Sequence, residues 1–436
     1  MHKKCIIINV FRNVYKILFK YTIGVFYMEK INGGVCAPEG FMASGIIAGI
    51  KAGHTDKKDM AMIFSKEPCK AAGTFTSNLV KAAPVKWDKQ IVSSDKTVKA
   101  VLVNSGVANA CTGQKGIDDC DTLSKKVKSV ATIDNDEVLI CSTGVIGANL
   151  PVEIMECGIE KLYSALKDGS DGAEDAANAI MTTDTVNKQV AVKFTAGGKE
   201  VKIGGMCKGS GMIHINMCTM LGFLTTDVNI TKDLLQEALS DVIKDTFNMV
   251  SVDGDTSTND TVLLLANGMA GNTIIDSKNE DYDAFYAALF EVAKTLSRKI
   301  AGDGEGASAL FEVKVVNALT HEDAVGLSKS VITSNLTKAA IFGHDANWGR
   351  ILCAMGYSGV VFDPEKVDIY FESAEGKLKI VEDGGATDYS EDEATKILSE
   401  KEVMCIADVK MGNESATAFG CDLTYDYVKI NADYRS

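Results

Sequence analysis

The run Lys208–Asp227, KGSGMIHINMCTMLGFLTTD, constrains this chain more than any other stretch. It opens in a turn loosened by Gly209 and Gly211, passes through a mostly apolar segment, and ends in small hydroxyl residues. Apolar side chains gathered in this way are worth burying, at roughly 25 cal/mol per Å² removed from water, so the rest of the chain is organised around them. At the middle stands Cys218-Thr219, flanked by Met217, Met220 and Leu221. A threonine hydroxyl in such surroundings is ordinarily a buried group satisfied by backbone. The sharper reading makes Thr219 a nucleophile. Spacing does not choose between the two.

A chain of 436 residues has room for one large or two to three ordinary domains, with ample core volume. Hydrophobic residues at 46% and charged residues at 24% are the proportions of a soluble globular protein. A net charge of −14 opposes non-specific nucleic-acid binding, because no basic surplus exists to displace counterions from phosphates. Twelve cysteines are scattered singly, with no C-x-x-C pair and no zinc spacing, which reads as reduced, mostly buried thiols of a cytosolic protein. Five histidines (His2, His54, His214, His321, His344) leave few candidates for histidine-based catalysis. Residues 1–27 are basic and apolar, but Arg12, Lys16 and Lys20 interrupt them too often for a signal peptide or a membrane span. They are expected to be an N-terminal extension or a misassigned start, with Met28 opening the body of the protein.

Along the chain, Met60–Phe64, Lys99–Val103 and Glu137–Cys141 are apolar runs with the length of buried strands. The small-residue stretch NSGVANACTG, 104–113, reads as a tight strand-to-helix turn, with a helix expected over 116–130. STGVIGANLP, 142–151, ends the third run in another glycine turn. Helices are expected over 158–168 and 171–181, then a polar connection TTDT at 182–185 and an alternating strand over 189–194. Leu234, Leu235, Ala238, Leu239, Val242, Ile243 and Phe247 keep helical spacing over 230–250, with Thr231 as N-cap. SVDGDTSTND, 251–260, fails as a calcium loop, since Thr258 and Leu264 stand where Gly and Glu are needed. Thr261–Ala266 is the strand behind it. After a helix over 282–299, AGDGEGAS lacks dinucleotide-loop spacing, and neither a Walker loop nor a G-x-S-x-G elbow occurs. Acidic strands and turns are expected from Arg350 to the end.

These stretches, with GHDANWGRIL at 343–352 and the terminal NADYRS, resemble motifs of the glutamate N-acetyltransferase (ornithine acetyltransferase) family of arginine biosynthesis. The resemblance covers almost everything from about residue 30 to Ser436. It departs at Val107, where the family has Asn, and at Ile215 and Ala346, where it has Pro, while His214 stands where the family has no base. The resemblance implies an α/β fold, a layered α-β-β-α sandwich superficially like the N-terminal nucleophile hydrolases. It implies self-cleavage between Cys218 and Thr219, giving an alpha chain (28–218) and a beta chain (219–436) interlocked in one catalytic unit. Thr219 is then the nucleophile and Thr143 and Gly144 the oxyanion hole. Thr185, Lys208, Thr219, Glu305, Asn431 and Ser436 bind substrate. Arg350 has a structural or a substrate-facing role.

By the same resemblance the acetyl group of N-acetyl-L-ornithine passes to L-glutamate through Thr219, with no metal or cofactor. Some members of the family also take acetyl-CoA as a co-substrate and others only recycle acetyl groups, and no motif here separates the two; the resemblance further implies a heterotetramer of two alpha and two beta chains in the cytoplasm. The chemistry is coherent: a threonine hydroxyl is a weak nucleophile without a base, and cleavage would give Thr219 an α-amine whose ordinary pKa is about 7.7–8.0. The alternatives are a self-processed aminopeptidase or amidohydrolase of similar fold, and an uncleaved metabolite-binding protein.

Overall fold

The computed structural model describes residues 7–11, 14–21, 24–51, 56–134, 136–214 and 220–433. The chain opens with antiparallel strands β1 (Ile7–Phe11), β2 (Val14–Tyr21) and β3 (Gly24–Ile31), so the N-terminal stretch continues a sheet. Strands β4 (Phe41–Ile46) and β5 (Met60–Phe75) follow, then α1 (Ala83–Val92), β6 (Val98–Val107), α2 (Gly113–Ala131), β7 (Glu137–Val145), α3 (Val152–Ser164) and α4 (Gly169–Ala179). Strands β8 (Lys188–Ala196) and β9 (Lys199–Lys208) form a hairpin over Gly197 and Gly198, both at positive φ, as a two-residue turn of matching twist requires. Next come β10 (Leu221–Thr226), α5 (Lys232–Lys244), β11 (Val250–Ser251), β12 (Thr261–Ala266), α6 (Glu280–Gly302) and β13 (Leu310–Ala318). Helices α7 (His321–Thr333), α8 (Asn335–Phe342) and α9 (Trp348–Gly356) lead to β14 (Asp368–Ser373), β15 (Gly376–Glu382) and β16 (Gly385–Ala386). Helix α10 (Glu391–Leu398), β17 (Glu402–Asp408), β18 (Glu414–Cys421) and α11 (Tyr425–Asp433) complete the chain.

Strand alternation sorts the side chains into layers. In β5, Ala61 and Ile63 join one core while Met60 and Met62 join another, and β6 and β7 divide the same way: Val101, Val103, Leu139 and Cys141 against Ala100, Leu102, Val138 and Ile140. The outer set is covered by Leu123 and Val127 of α2 and Met155, Ile159 and Leu162 of α3. The inner set faces Met206, Leu221, Phe223, Leu263 and Leu265 from β9, β10 and β12. On the far side of those strands, Leu224, Val262 and Leu264 pack under α5 and α6. The expected α-β-β-α sandwich is therefore present. A second sheet, β11-β18-β13-β17-β14-β15-β16, shares the α6 core and is covered by α7 and α10.

The two β layers are continuous through β5. Its first part pairs with β4 and β6, its last part, Lys70–Phe75, with β12, and the register with β6 breaks between Phe64 and Cys69. This is why the strand runs far beyond the predicted Met60–Phe64. Helix α5 is shorter than the predicted 230–250, and Thr231 holds the N-cap position without a cap bond from its hydroxyl. The expected acidic strands and turns at the end are interrupted by α10, capped by Ser390, and by α11. Arg350 donates to Leu336 O at 2.8 Å, tying α9 to α8, the structural one of its two expected roles. The ten described cysteines are free thiols, seven of them buried. Among the described residues no helix is long and apolar enough to cross a membrane.

Candidate active site

The parallel pair β6 and β7 places Gly106 beside Gly144. Gly144 sits at φ +133, and a Cβ there would stand 2.2 Å from the Gly106 carbonyl carbon, so both the turn and the close approach demand glycine. Thr143 is buried one residue earlier. Together they form one wall of a cleft of about 100 Å³, which is also lined by Lys208 at the end of β9, Glu305 after α6 and Asn431 on α11. Thr182, Thr183, Ser257, Thr258 and Asn259 complete its polar lining.

Each wall is fixed from behind. Asn259 donates to Ala108 O at 2.6 Å and to Ser142 O at 2.8 Å, joining the start of β12 to the Thr143–Gly144 turn. Glu305 N donates to Ser210 O at 3.0 Å, and the Glu305 carboxylate accepts from Asn431 Nδ2 at 2.7 Å. A Cβ on Gly211 would lie 2.2 Å from the Glu305 carboxyl carbon, so that glycine makes room for the carboxylate. Lys208 is buried; burial pushes its amine down, and the charge of Asp184 works in the opposite direction.

Asp184 is the centre of a buried ion cluster. Its carboxylate accepts from Lys188 Nζ at 2.6 Å, Gly209 N at 2.8 Å and Thr182 N at 3.0 Å. Burial alone would raise this carboxyl, but Lys208 and Lys188 hold it below the ordinary range. Lys188 reaches Asp303 on its other side at 2.5 Å. Thr185 gives both its N–H and its hydroxyl to Asp303, and so faces a neighbouring cleft of about 370 Å³ beside Asp426 and Lys429. Of the predicted site residues, then, Thr143, Gly144, Lys208, Glu305 and Asn431 meet in one cleft, and Thr185 lies next door. Cys218, Thr219 and Ser436 lie outside the described residues, as does Ile215.

The ends of that central segment are nevertheless placed. Met212 N and Ile213 N donate to Asp253 at 2.6 and 2.9 Å, and Met220 N donates to Asp260 Oδ1 at 3.1 Å. The acidic stretch that fails as a calcium loop is thus a clamp, one aspartate on each end of the segment that holds Thr219. His214 rests against Ser251 Oγ at 3.2 Å, with burial and then Lys329 lowering its pKa. Sequence reasoning missed Lys188, Asp303, Asn259 and Asp260; for the last two the available signal was a polar quartet, STND, directly before the strand Thr261–Ala266.

A threonine–glycine turn offers a hydroxyl and an N–H to a developing oxyanion, and a cation and a carboxylate share the same cleft. Fold and site define an acyl-transfer enzyme. The chain belongs to the ArgJ family, whose pattern matches residues 42–436, and it is an acyltransferase of arginine biosynthesis. It is 51% identical over 409 residues to the arginine biosynthesis bifunctional protein ArgJ of Caldanaerobacter subterraneus subsp. tengcongensis, covering 94% of this chain and 100% of that one. The protein of the same name from Thermotoga neapolitana is 48% identical over 92% of this chain and 99% of its own. Among solved structures, ornithine acetyltransferase complexed with ornithine from Mycobacterium tuberculosis is 36% identical, with a TM-score of 0.39, covering 44% of this chain and 99% of that chain.

Proposed function

We propose that this enzyme cuts itself between Cys218 and Thr219 and then carries acetyl groups from N2-acetyl-L-ornithine to L-glutamate in a ping-pong cycle. The observation that carries the reading is convergence: Thr143, Gly144, Lys208, Glu305 and Asn431, far apart in sequence, line one cleft. In the first half-reaction the Thr219 hydroxyl attacks the acetyl carbonyl, Thr143 and Gly144 hold the oxyanion, and ornithine leaves with the proton. In the second, the amine of glutamate attacks acetyl-Thr219 and frees the hydroxyl. Lys208 receives the substrate α-carboxylate as a point charge, and Glu305, steadied by Asn431, faces the amino end. Thr185 and Ser436 complete the binding set.

The two fragments, 28–218 preceded by its extension and 219–436, stay interlocked, and two such pairs form a cytoplasmic heterotetramer. No cofactor takes part, and assays with acetyl-CoA in place of N2-acetyl-L-ornithine test whether it is a second acetyl donor. A denaturing intact-mass spectrum is the test: two fragments, the second beginning at Thr219, support the reading, and one uncut chain after long incubation overturns it. Thr219→Ala should abolish both the cut and acetyl transfer. Release of free acetate without any dependence on glutamate would assign the chain to the hydrolases instead.

A further inference from the structure

Two large apolar side chains line the cleft, and the proposed cycle gives them no work. Ile146 and Met212 stand in its wall with 37% and 40% of their surface open to water. Apolar groups left exposed inside a cleft gain by being covered. Neither sits on a loose loop. Ile146 is pinned on both sides to the chain that follows β6: Val145 O accepts from Ala108 N at 2.9 Å, and Gly147 N donates to Ala110 O at 3.0 Å. Met212 lies at φ 57, a left-handed conformation unfavourable for a residue with a side chain, and Asp253 holds it there through the Met212 and Ile213 N–H groups. Among the described residues, the charged side chains of the lining are Lys208 and Glu305. Asp253 lies outside that lining, and both its oxygens accept backbone N–H groups.

We infer that Ile146 and Met212 are the specificity surface of the cleft: they take the aliphatic side chains of both amino-acid substrates and leave the charged ends in water. The inference rests on the proposed transfer from N2-acetyl-L-ornithine to L-glutamate. One nucleophile then serves both substrates in turn, so one cleft must hold both. The substrates are alike around the α-carbon, where Lys208 and Glu305 meet the carboxylate and the amino end. They are opposite at the far end, an ammonium on ornithine and a carboxylate on glutamate. A fixed charge facing that end would favour one substrate and repel the other. A neutral apolar wall open to solvent meets methylene groups equally well in both. It also leaves either charge hydrated, which spares the cost of burying it. Ile146 and Met212 touch substrate side chains and take no part in making or breaking bonds.

The test is kcat/KM for each substrate, because in a ping-pong cycle each value reports its own half-reaction. Ile146→Lys should raise kcat/KM for L-glutamate and lower it for N2-acetyl-L-ornithine, each by about two- to fivefold, the size of one exposed ion pair. Ile146→Glu should do the reverse, and both shifts should shrink in high salt. Both positions are exposed, so a polar residue is tolerated at either. Met212→Lys and Met212→Glu should repeat the pattern, and they decide the matter where an Ile146 variant does not fold. The readout is the ratio of the two constants, since a damaged fold lowers both together and leaves their ratio alone. An unchanged ratio in the Lys and Glu variants, with an active wild type, overturns the inference. A wild-type chain that moves no acetyl group to glutamate overturns the reading of the function, and the inference with it.

Discussion

Two clusters of aspartate and lysine use the same residue types in opposite settings. Beside the cleft, Lys188 lies between Asp184 and Asp303 with its side chain and that of Asp184 wholly buried. On the second sheet, Asp368 is held by Lys379 at 3.2 Å and Lys410 at 2.7 Å, and both lysines are about a third exposed. The inner cluster also binds backbone, taking the N–H groups of Thr182, Gly209 and Thr185, and so fixes two turns of the site. The outer one staples β14 to the turns after β15 and β17. Water can replace a lost partner only in the second case. A cluster whose cation is buried orders the cleft here, and one whose lysines reach water staples a sheet.

The largest expected effect follows from that difference. Lys188→Met should cost about 3–5 kcal/mol in denaturant unfolding, because two buried carboxylates lose their shared cation. Acetyl transfer should fall with it. Next, Lys208→Gln should raise KM for the amino-acid substrates some 10- to 100-fold, in line with about 1.5–3 kcal/mol for a hydrogen bond to a charged group. Unchanged KM would remove Lys208 from the binding set. Asn431→Ala should cost only about 1 kcal/mol of binding and leave the melting temperature alone, since α11 buries no residue. Lys410→Met should cost no more than about 1 kcal/mol, as exposed ion pairs do; a loss equal to that of Lys188→Met would erase the distinction between the clusters.

The smallest effect is in acid. Asp368 is held down at about 2, burial opposing the bonds from Lys410, the Asp383 N–H and Lys379. Asp184 is also held below its ordinary 3.8. Both folded values lie below the unfolded ones, so each contribution is complete above about pH 4 and is lost as pH falls through the folded value. Melting curves of Lys410→Met should therefore show a shallower decline between pH 4 and 2 than wild type.

Much of the fold was legible. Met60–Phe64, Lys99–Val103, Glu137–Cys141 and Thr261–Ala266 all lie in strands, because short apolar runs bounded by polar turns have few other uses. The length of β5 was hidden, since Lys66 and Glu67 are exposed where the strand changes partners, and a change of partner leaves no periodic mark. Helix α11 carries no apolar stripe to read. The site was legible only through family resemblance. Nothing in the spacing of Thr143, Lys208, Glu305 and Asn431 says that they meet, because long-range strand pairing brings them together. Asp253 and Asp260 looked like loop residues for the same reason that they matter: a side chain that clamps distant backbone is polar, local in sequence and non-local in effect.

The order β9-β10-β12-β5 places two strands from after Thr219 between two from before it. A polypeptide made only of residues 220–436 would carry β10 and β12 with both flanks unpaired, bare hydrogen-bonding edges of the kind that drive aggregation. Residues before and after Thr219, produced apart, would each present unpaired strand edges. A break between β9 and β10 that came after folding would leave this interleaved order of strands intact.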